Sequence, residues 1–218
     1  MGMRVYCDFD GTITCQDTTD QVLSQRAAPQ WMDIEAQWSR DEITAAECMR
    51  RQIALIDTDE AALDAVLDAC ELRPGFVEFA NWCDSEAIAL TIVSDGVDRF
   101  IRRILTRNGL AHLPVISNRL ALEGSAYRLE QPSARTGCAA GSGVCKCAVV
   151  GEAAGDGPMV FIGDGRSDFC VSARADILFA RDRLAGYARE RKQYFTPFDT
   201  FDDIRLALAS LHAQRQIA

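Results

Sequence analysis

Two carboxylates two residues apart close a short apolar run near the start of the chain, in Val5-Tyr6-Cys7-Asp8-Phe9-Asp10-Gly11-Thr12-Ile13-Thr14. Along an extended strand, residues i and i+2 point to the same side, so Asp8 and Asp10 are expected to leave the strand end together. Side by side they repel, which predicts a raised Asp10 carboxyl. Folding alone gives no reason to place them there. A divalent cation relieves the clash, because hard oxygen ligands suit Mg2+. The pair therefore asks for a metal, an electrophile such as phosphorus, or both. Alone, Asp10 would read as a cap for the helix that follows; beside Asp8 it reads as chemistry.

Three later stretches carry groups of the same kind. Ser94-Asp95-Gly96 ends an apolar run over residues 87–93, Lys146 opens a short helix, and Gly163-Asp164-Gly165-Arg166-Ser167-Asp168 ends the run over 159–162. Each is ordinary singly: a serine at a strand end is turn chemistry, a lone helix lysine is solvated, and loop aspartates aid solubility. Strands ending in Asp8, Ser94 and Asp164 would, in a parallel sheet, bring these groups to one rim, where ligands bind.

The elements that must position them are legible as patterns. Residues 16–70 read as helical almost throughout, with starts at Asp17 or Thr18, at Pro29, at Thr44 with Glu47 three residues on, and at Thr58. A helical insert directly after such a strand is what a lid would look like. Beyond the break at Arg73-Pro74-Gly75 come a helix over 76–84, the strand over 87–93, a helix over 98–108 and a short strand at Val115-Ile116. A hairpin around Glu123-Gly124-Ser125, a Gly-, Ser- and Ala-rich loop over 132–143 and a helix from Lys146 to about Ala154 follow. A turn at Asp156, the strand over 159–162, a helix, a strand over 177–180 and two helices complete the chain. Strands alternating with helices predict an α/β fold with a doubly wound, mostly parallel, Rossmann-like sheet covered on both faces. The expected division is a core of residues 1–15 and 74–218 and a helical cap of residues 16–73.

Composition narrows the partners. The 218 residues carry a net charge of −9, which argues against a nucleic-acid or anionic-membrane surface. No apolar run approaches the roughly 20 residues that span a bilayer, and the first strand begins too early to leave room for a signal peptide, so a soluble cytoplasmic protein is expected. Nine cysteines then read as reduced thiols. Cys7, Cys48, Cys70, Cys83 and Cys170 are expected as small core hydrophobes. Cys138, Cys145 and Cys147 cluster at a spacing open to zinc, but only three are present with no histidine near. His112 and His212 read as structural or surface residues, and Trp31, Trp38 and Trp82 as cap and core filling.

Taken in order, Asp8-x-Asp10-Gly11-Thr12, Ser94, Lys146 and Gly163-Asp164-Gly165-x-x-Asp168 resemble the four motifs of the haloacid dehalogenase superfamily. The helical insert resembles the C1-type cap of its phosphoserine-phosphatase-like branch. The resemblance implies a Mg2+-dependent phosphatase acting on a small-molecule phosphate monoester. It implies Asp8 as nucleophile forming an aspartyl-phosphate, Asp10 as general acid and base, and Ser94, with backbone N–H groups near Asp95 and Gly96, holding phosphoryl oxygens. Lys146 offsets charge, and Asp8, the Asp10 carbonyl, Asp164 and Asp168 hold Mg2+. Asp17 stands where the branch places an acidic cap residue facing a substrate hydroxyl or amine. Phosphoserine phosphatases usually carry Ser at the position of Gly11 and a carboxylate-binding Arg where Gln52 falls, with Arg50 and Arg51 nearby. The Asp-Phe-Asp-Gly-Thr-Ile-Thr opening, Asp17, Pro29-x-Trp31-Met32 and the Cys-rich run before Lys146 look most like the 2-hydroxy-3-keto-5-methylthiopentenyl-1-phosphate phosphatase family. Phosphocholine and phosphoethanolamine phosphatases share that cysteine-containing loop. A phospho-acceptor switch and a non-catalytic binding protein are the readings from other classes.

Overall fold

The computed structural model describes residues 2–124, 126–152 and 157–217, with residues 212–217 described by their backbone alone. Ser125 and Asp156 of the expected turns, the expected helix end at Ala154 and the side chain of His212 lie outside the described residues.

Six strands form one sheet: β1 (Arg4–Cys7), β2 (Ala89–Val97), β3 (Val115–Glu123), β4 (Ala126–Glu130), β5 (Met159–Gly163) and β6 (Ile177–Ala180). Their order is β4-β3-β2-β1-β5-β6, and every pairing is parallel except the β3–β4 hairpin at one edge. The strands read as continuous apolar runs because both faces are covered. Val5, Cys7, Leu90, Ile92, Val160, Ile162 and Phe179 belong to one core. Tyr6, Val93, Met159, Phe161, Leu178 and Ala180 belong to the other. This is the expected α/β class, with β1 at the position where the strand order reverses.

Register carries the site. Cys7 pairs with Ile92 on one side and Ile162 on the other, so the residues that follow each run emerge together at the carboxyl rim. The Asp8 N–H still donates to the Ile162 carbonyl at 2.9 Å, extending the ladder by one residue into the site.

Between β1 and β2 lie α1 (Thr18–Arg26), α2 (Trp31–Ser39), α3 (Ala45–Ile53) and α4 (Glu60–Asp68). Side-chain caps fix three starts: Asp17 accepts from the N–H of Asp20, Thr44 from Glu47 and Asp59 from Ala62. The last start is thus at Asp59 and not Thr58, because the carboxylate one residue on reaches the orphan N–H. The chain leaves and re-enters through one junction, where Thr14 bridges Leu72 and the Cys15 N–H donates to the Glu71 carbonyl at 3.0 Å. Arg73 locks that junction: its guanidinium donates to the carbonyls of Gly11 (2.6 Å), Thr12 (2.8 Å) and Thr14 (3.3 Å). A second tie is electrostatic, Arg103 meeting Asp64 and Asp68 of α4 from the far side.

The remaining helices are α5 (Phe76–Ser85), α6 (Asp98–Arg107), α7 (Lys146–Glu152), α8 (Phe169–Ser172), α9 (Asp182–Glu190) and α10 (Phe201–Ile217), a 3-10 turn at Arg166–Asp168 running into α8. Phe76 and Phe79 of α5 pack on Phe201 of α10 with ring centroids 4.8 and 5.4 Å apart. Two expectations need correction. β2 begins at Ala89 rather than 87, since Ala87 has φ +53° and turns the chain, and it runs through Ser94–Gly96 with a register shift against β3 between Val93 and Val97. β3 is one long strand and not a short strand followed by a separate hairpin: its first half pairs with β2 and its second with β4. Among the described residues no helix is long and apolar enough to cross a membrane.

Arg73 is buried at 8% exposure, and truncating it leaves three carbonyls without their donor. Arg73→Ala is expected to lower stability by about 2–3 kcal/mol, the scale of a charged hydrogen bond. Urea unfolding with an unchanged m-value reads it; an unshifted midpoint would show that the staple contributes nothing.

Candidate active site

Lys146 is the centre of the site. It is 1% exposed, and its ammonium lies 2.7 Å from Asp8 Oδ1 and 2.6 Å from Asp168 Oδ1. Burial works to strip its proton, and the two carboxylates outweigh that, so the ammonium is held above the usual lysine range. Asp8 shows the reverse balance: burial raises its carboxyl, Lys146 opposes it, and the net direction is up. Asp168, fully buried, is engaged at both oxygens, Oδ1 by Lys146 and Oδ2 by the N–H groups of Asp164 (3.0 Å) and Gly165 (3.1 Å). It therefore orients Lys146 and the loop after β5 at the same time.

Asp164 stands on that loop, its Oδ1 accepting from the Thr12 hydroxyl at 2.6 Å. Gly11 is forced by both backbone and space: its φ is +74°, and a Cβ there would sit 2.6 Å from Asp164 Oδ2. Oxygens of Asp8, Asp164 and Asp168 all lie within 4.8 Å of one another, a set of hard donors able to hold a cation.

Asp10 lines the same cavity and is held by the start of α1. Its Oδ1 accepts from the Thr18 N–H at 2.9 Å and from the Thr18 hydroxyl. Its Oδ2 lies where a Cβ on Gly96 would be. Its carboxyl is raised, as expected, with burial the largest cause, opposed by Thr18, Lys146 and Ser94. Ser94 Oγ accepts from the Gly96 N–H at 2.9 Å, and its hydroxyl faces the Asp10 carboxylate. Thr18 and Thr12 are site residues that sequence reasoning missed; the helix start at Thr18 and the hydroxyl after Gly11 were the available signals.

Asp95 is tied inward. Its carboxylate accepts from the Val144 N–H at 2.9 Å and from Asn118 at 3.2 Å, which anchors the loop leading to Lys146. Above the rim opens a cavity of about 560 Å3, lined among others by Asp8, Asp10, Ser94 and Asp164 below and by Asp17, Asp20, Glu35, Trp38, Met49 and Gln52 from the inserted helices. Trp38 is thus a cavity residue and not filling, with the Arg166 guanidinium 5.0 Å from its ring centroid. Arg166 also pairs with Asp41 at 2.8 Å, joining the loop after Asp164 to the insert. Gln52 donates to Glu35 at 3.0 Å, while Arg50 and Arg51 are turned to Glu47 and Gln37.

The model of haloacid dehalogenase-like hydrolases matches residues 5–172, a span that holds every residue of this rim. The chain belongs to the haloacid dehalogenase-like hydrolase family. It is 30% identical over 204 residues to a 2-hydroxy-3-keto-5-methylthiopentenyl-1-phosphate phosphatase of Brevibacillus brevis, covering 92% of each chain. It is 32% identical over 209 residues to the phosphatase of the same name from Geobacillus thermodenitrificans, again covering 92% of each. A substrate-bound phosphoserine phosphatase complex shares the fold with a TM-score of 0.71 at 16% identity, over 94% of this chain and 97% of that one. The protein is a phosphatase of the haloacid dehalogenase-like family.

Gly96→Ala would push a methyl into Asp10 and within 3.0 Å of Ser94 Oγ. A displacement of that size is expected to lower kcat roughly 100-fold with the melting temperature nearly unchanged, and wild-type kcat would refute the close approach. A second expectation concerns pH. Burial and the neighbouring Asp168 push Asp164 up to about 6, above the roughly 3.9 of an unfolded Asp. The native state then binds the proton more tightly, so in chelator the contribution of Asp164 to stability falls as pH rises from about 4 through about 6. Wild-type minus Asp164→Asn melting temperatures should decline across that window; a rise would reverse the sign.

Proposed function

We propose that this phosphatase hydrolyses a small-molecule phosphate monoester through an aspartyl-phosphate on Asp8, with 2-hydroxy-3-keto-5-methylthiopentenyl-1-phosphate as its substrate. The observation that carries the reaction is the buried Asp8–Lys146–Asp168 chain opening into the cavity. Asp8 attacks phosphorus as the bond to the leaving oxygen breaks, and Asp10 gives that oxygen a proton. Water then attacks the aspartyl-phosphate, Asp10 takes its proton, and phosphate leaves. Thr18 holds Asp10 Oδ1, so Oδ2 is the oxygen that moves the proton. The Ser94 hydroxyl, the backbone near Gly96 and Lys146 hold the phosphoryl oxygens. Asp8 and Asp164 fit Mg2+ directly and Asp168 supports them, since both of its oxygens are already engaged; bound Mg2+ would offset phosphoryl charge. Residues 16–73 serve as the cap that closes over residues 1–15 and 74–218.

The distal wall supports the substrate. The name of the enol phosphate describes a hydroxyl, a ketone and a thioether, and no carboxylate. Asp17, Asp20 and Glu35 suit donors such as the hydroxyl, and Trp38 and Met49 suit the methylthio group. Burial and the Asp10 charge raise Asp17, the direction of a carboxyl that donates or accepts a neutral hydrogen bond. Gln52 and Glu35 offer no charged fork for a serine carboxylate. A second reading, phosphocholine or phosphoethanolamine, is favoured by the same acidic wall, which would meet a cation.

With Mg2+, kcat/KM for the enol phosphate is expected to exceed that for phosphoserine by roughly 100-fold, about 2.7 kcal/mol of discrimination. Preference for phosphoserine would end the substrate assignment, and preference for phosphocholine would replace it with the second reading. Asp10→Asn should lower kcat by roughly 10²–10⁴, and near-normal turnover would remove Asp10 from proton transfer.

A further inference from the structure

The cysteines do not supply a second metal site. Among the described residues the one group of three or more ligand atoms within 4.8 Å of one another is Asp8, Asp164 and Asp168, so Cys138, Cys145 and Cys147 do not build the zinc site their spacing left open. Cys170, expected in the core, is partly exposed and lines the cavity. The unused chemistry lies instead in the charge of the cavity wall.

Seven carboxylate residues and two arginines line the cavity. A phosphate monoester carries roughly −1.5 to −2 charge near neutral pH, so most of that wall repels it. The nearest ammonium, Lys146, is already divided between Asp8 and Asp168. Of the two guanidiniums, Arg166 is paired with Asp41 at 2.8 Å and lies over Trp38. Arg183 is the other. It is exposed, and among the described residues no hydrogen bond, ion pair or ring contact engages it.

The backbone of α9 fixes where that charge stands. The Arg181 N–H donates to the Gly163 carbonyl at 3.2 Å and the Leu184 N–H to the Asp164 carbonyl at 2.8 Å, so the first turn of α9 hangs from the loop that carries Asp164. Leu184, Ala185 and Ala188 pack into the core with Phe161. Arg183 and Tyr187 are four residues apart, hence on one helix face, and both line the cavity. Tyr187 is stacked on Phe169 with ring centroids 4.1 Å apart, which makes the wall beside Arg183 firm. The neighbouring Arg181 is paired with Asp182 at 2.8 Å. The insert's share of the wall carries Asp17, Asp20 and Glu35, so a dianion is repelled from the insert and drawn towards α9.

We propose that Arg183 is the docking cation for the phosphate dianion, meeting the incoming ester at the exposed edge of the cavity and inorganic phosphate on its way out. It sets affinity and leaves the chemical step to the rim. The role rests on the phosphatase activity, whatever the ester.

Inorganic phosphate is the probe, titrated by calorimetry into the full chain with Mg2+ present, and p-nitrophenyl phosphate hydrolysis supplies the kinetic arm. The binding arm needs no turnover, so its failure and a failure of the catalytic reading are told apart. Arg183→Ala should weaken phosphate binding and raise KM roughly fivefold, the scale of one solvated charge contact, with kcat within about twofold. Arg183→Glu should weaken both roughly 25-fold, because it replaces attraction by repulsion. Arg183→Lys should restore most of the affinity, since a point charge suffices where no planar fork is needed. The loss of affinity on adding salt should be shallower in Arg183→Ala than in the wild type. Arg189→Glu makes the same charge change on α9, at a side chain set against Phe195 and outside the cavity wall; it should leave phosphate affinity within about twofold. Unchanged phosphate affinity in Arg183→Glu would overturn the proposal. So would an equal loss in Arg189→Glu, or an Arg183→Lys variant as weak as Arg183→Ala. If Arg183→Glu does not fold, the Ala and Lys variants decide by the same readouts.

Discussion

A lysine ammonium with almost no solvent contact has to be paired, and here two carboxylates pair it, one from the end of β1 and one from the loop after β5. Removing either partner would leave a buried charge uncompensated, which is far costlier than losing an exposed ion pair. That constraint reaches in three directions. It fixes Asp8 at the end of β1 and sets where α7 must start. It also fixes Asp168, whose other oxygen holds the loop that presents Asp164. Asp8, the ammonium that pairs it and the loop carrying Asp164 are therefore one mechanical unit.

Around that unit, backbone is held by side chains rather than by regular structure. Arg73 gathers the carbonyls of the turn after β1, Thr18 fixes one oxygen of Asp10, and Asp95 with Asn118 holds the approach to Lys146. Two glycines allow the contact: Gly11 lets the turn lie on Asp164, and Gly96 lets β2 lie on Asp10. Such a site is pre-organised before substrate arrives, which suits a reaction whose catalysis is positioning and electrostatics.

The insert closes the cavity with a different chemistry from the rim. The rim gathers the carboxylates of Asp8, Asp10 and Asp164, while the wall from α1, α2 and α3 combines carboxylates with Trp38, Met49 and Gln52. Arg166 bridges the two halves through Trp38 and Asp41. Because Arg166 is only two residues from Asp164, the carboxylate below and the tie to the insert above share one short loop.

The sequence by itself determined the α/β class, the helical insert after β1, and the groups Asp8, Asp10, Ser94, Lys146, Asp164 and Asp168. Strand ends, caps and apolar periodicity are local properties, and a parallel sheet sends its strand ends to a single rim. Tertiary structure alone decided the strand order, the anchoring of Asp10 on Thr18, and the inward turn of Asp95. Arg73 was equally silent: its carbonyl partners lie 59 to 62 residues away in sequence, and such a meeting exists only once burial has drawn the helices onto the sheet.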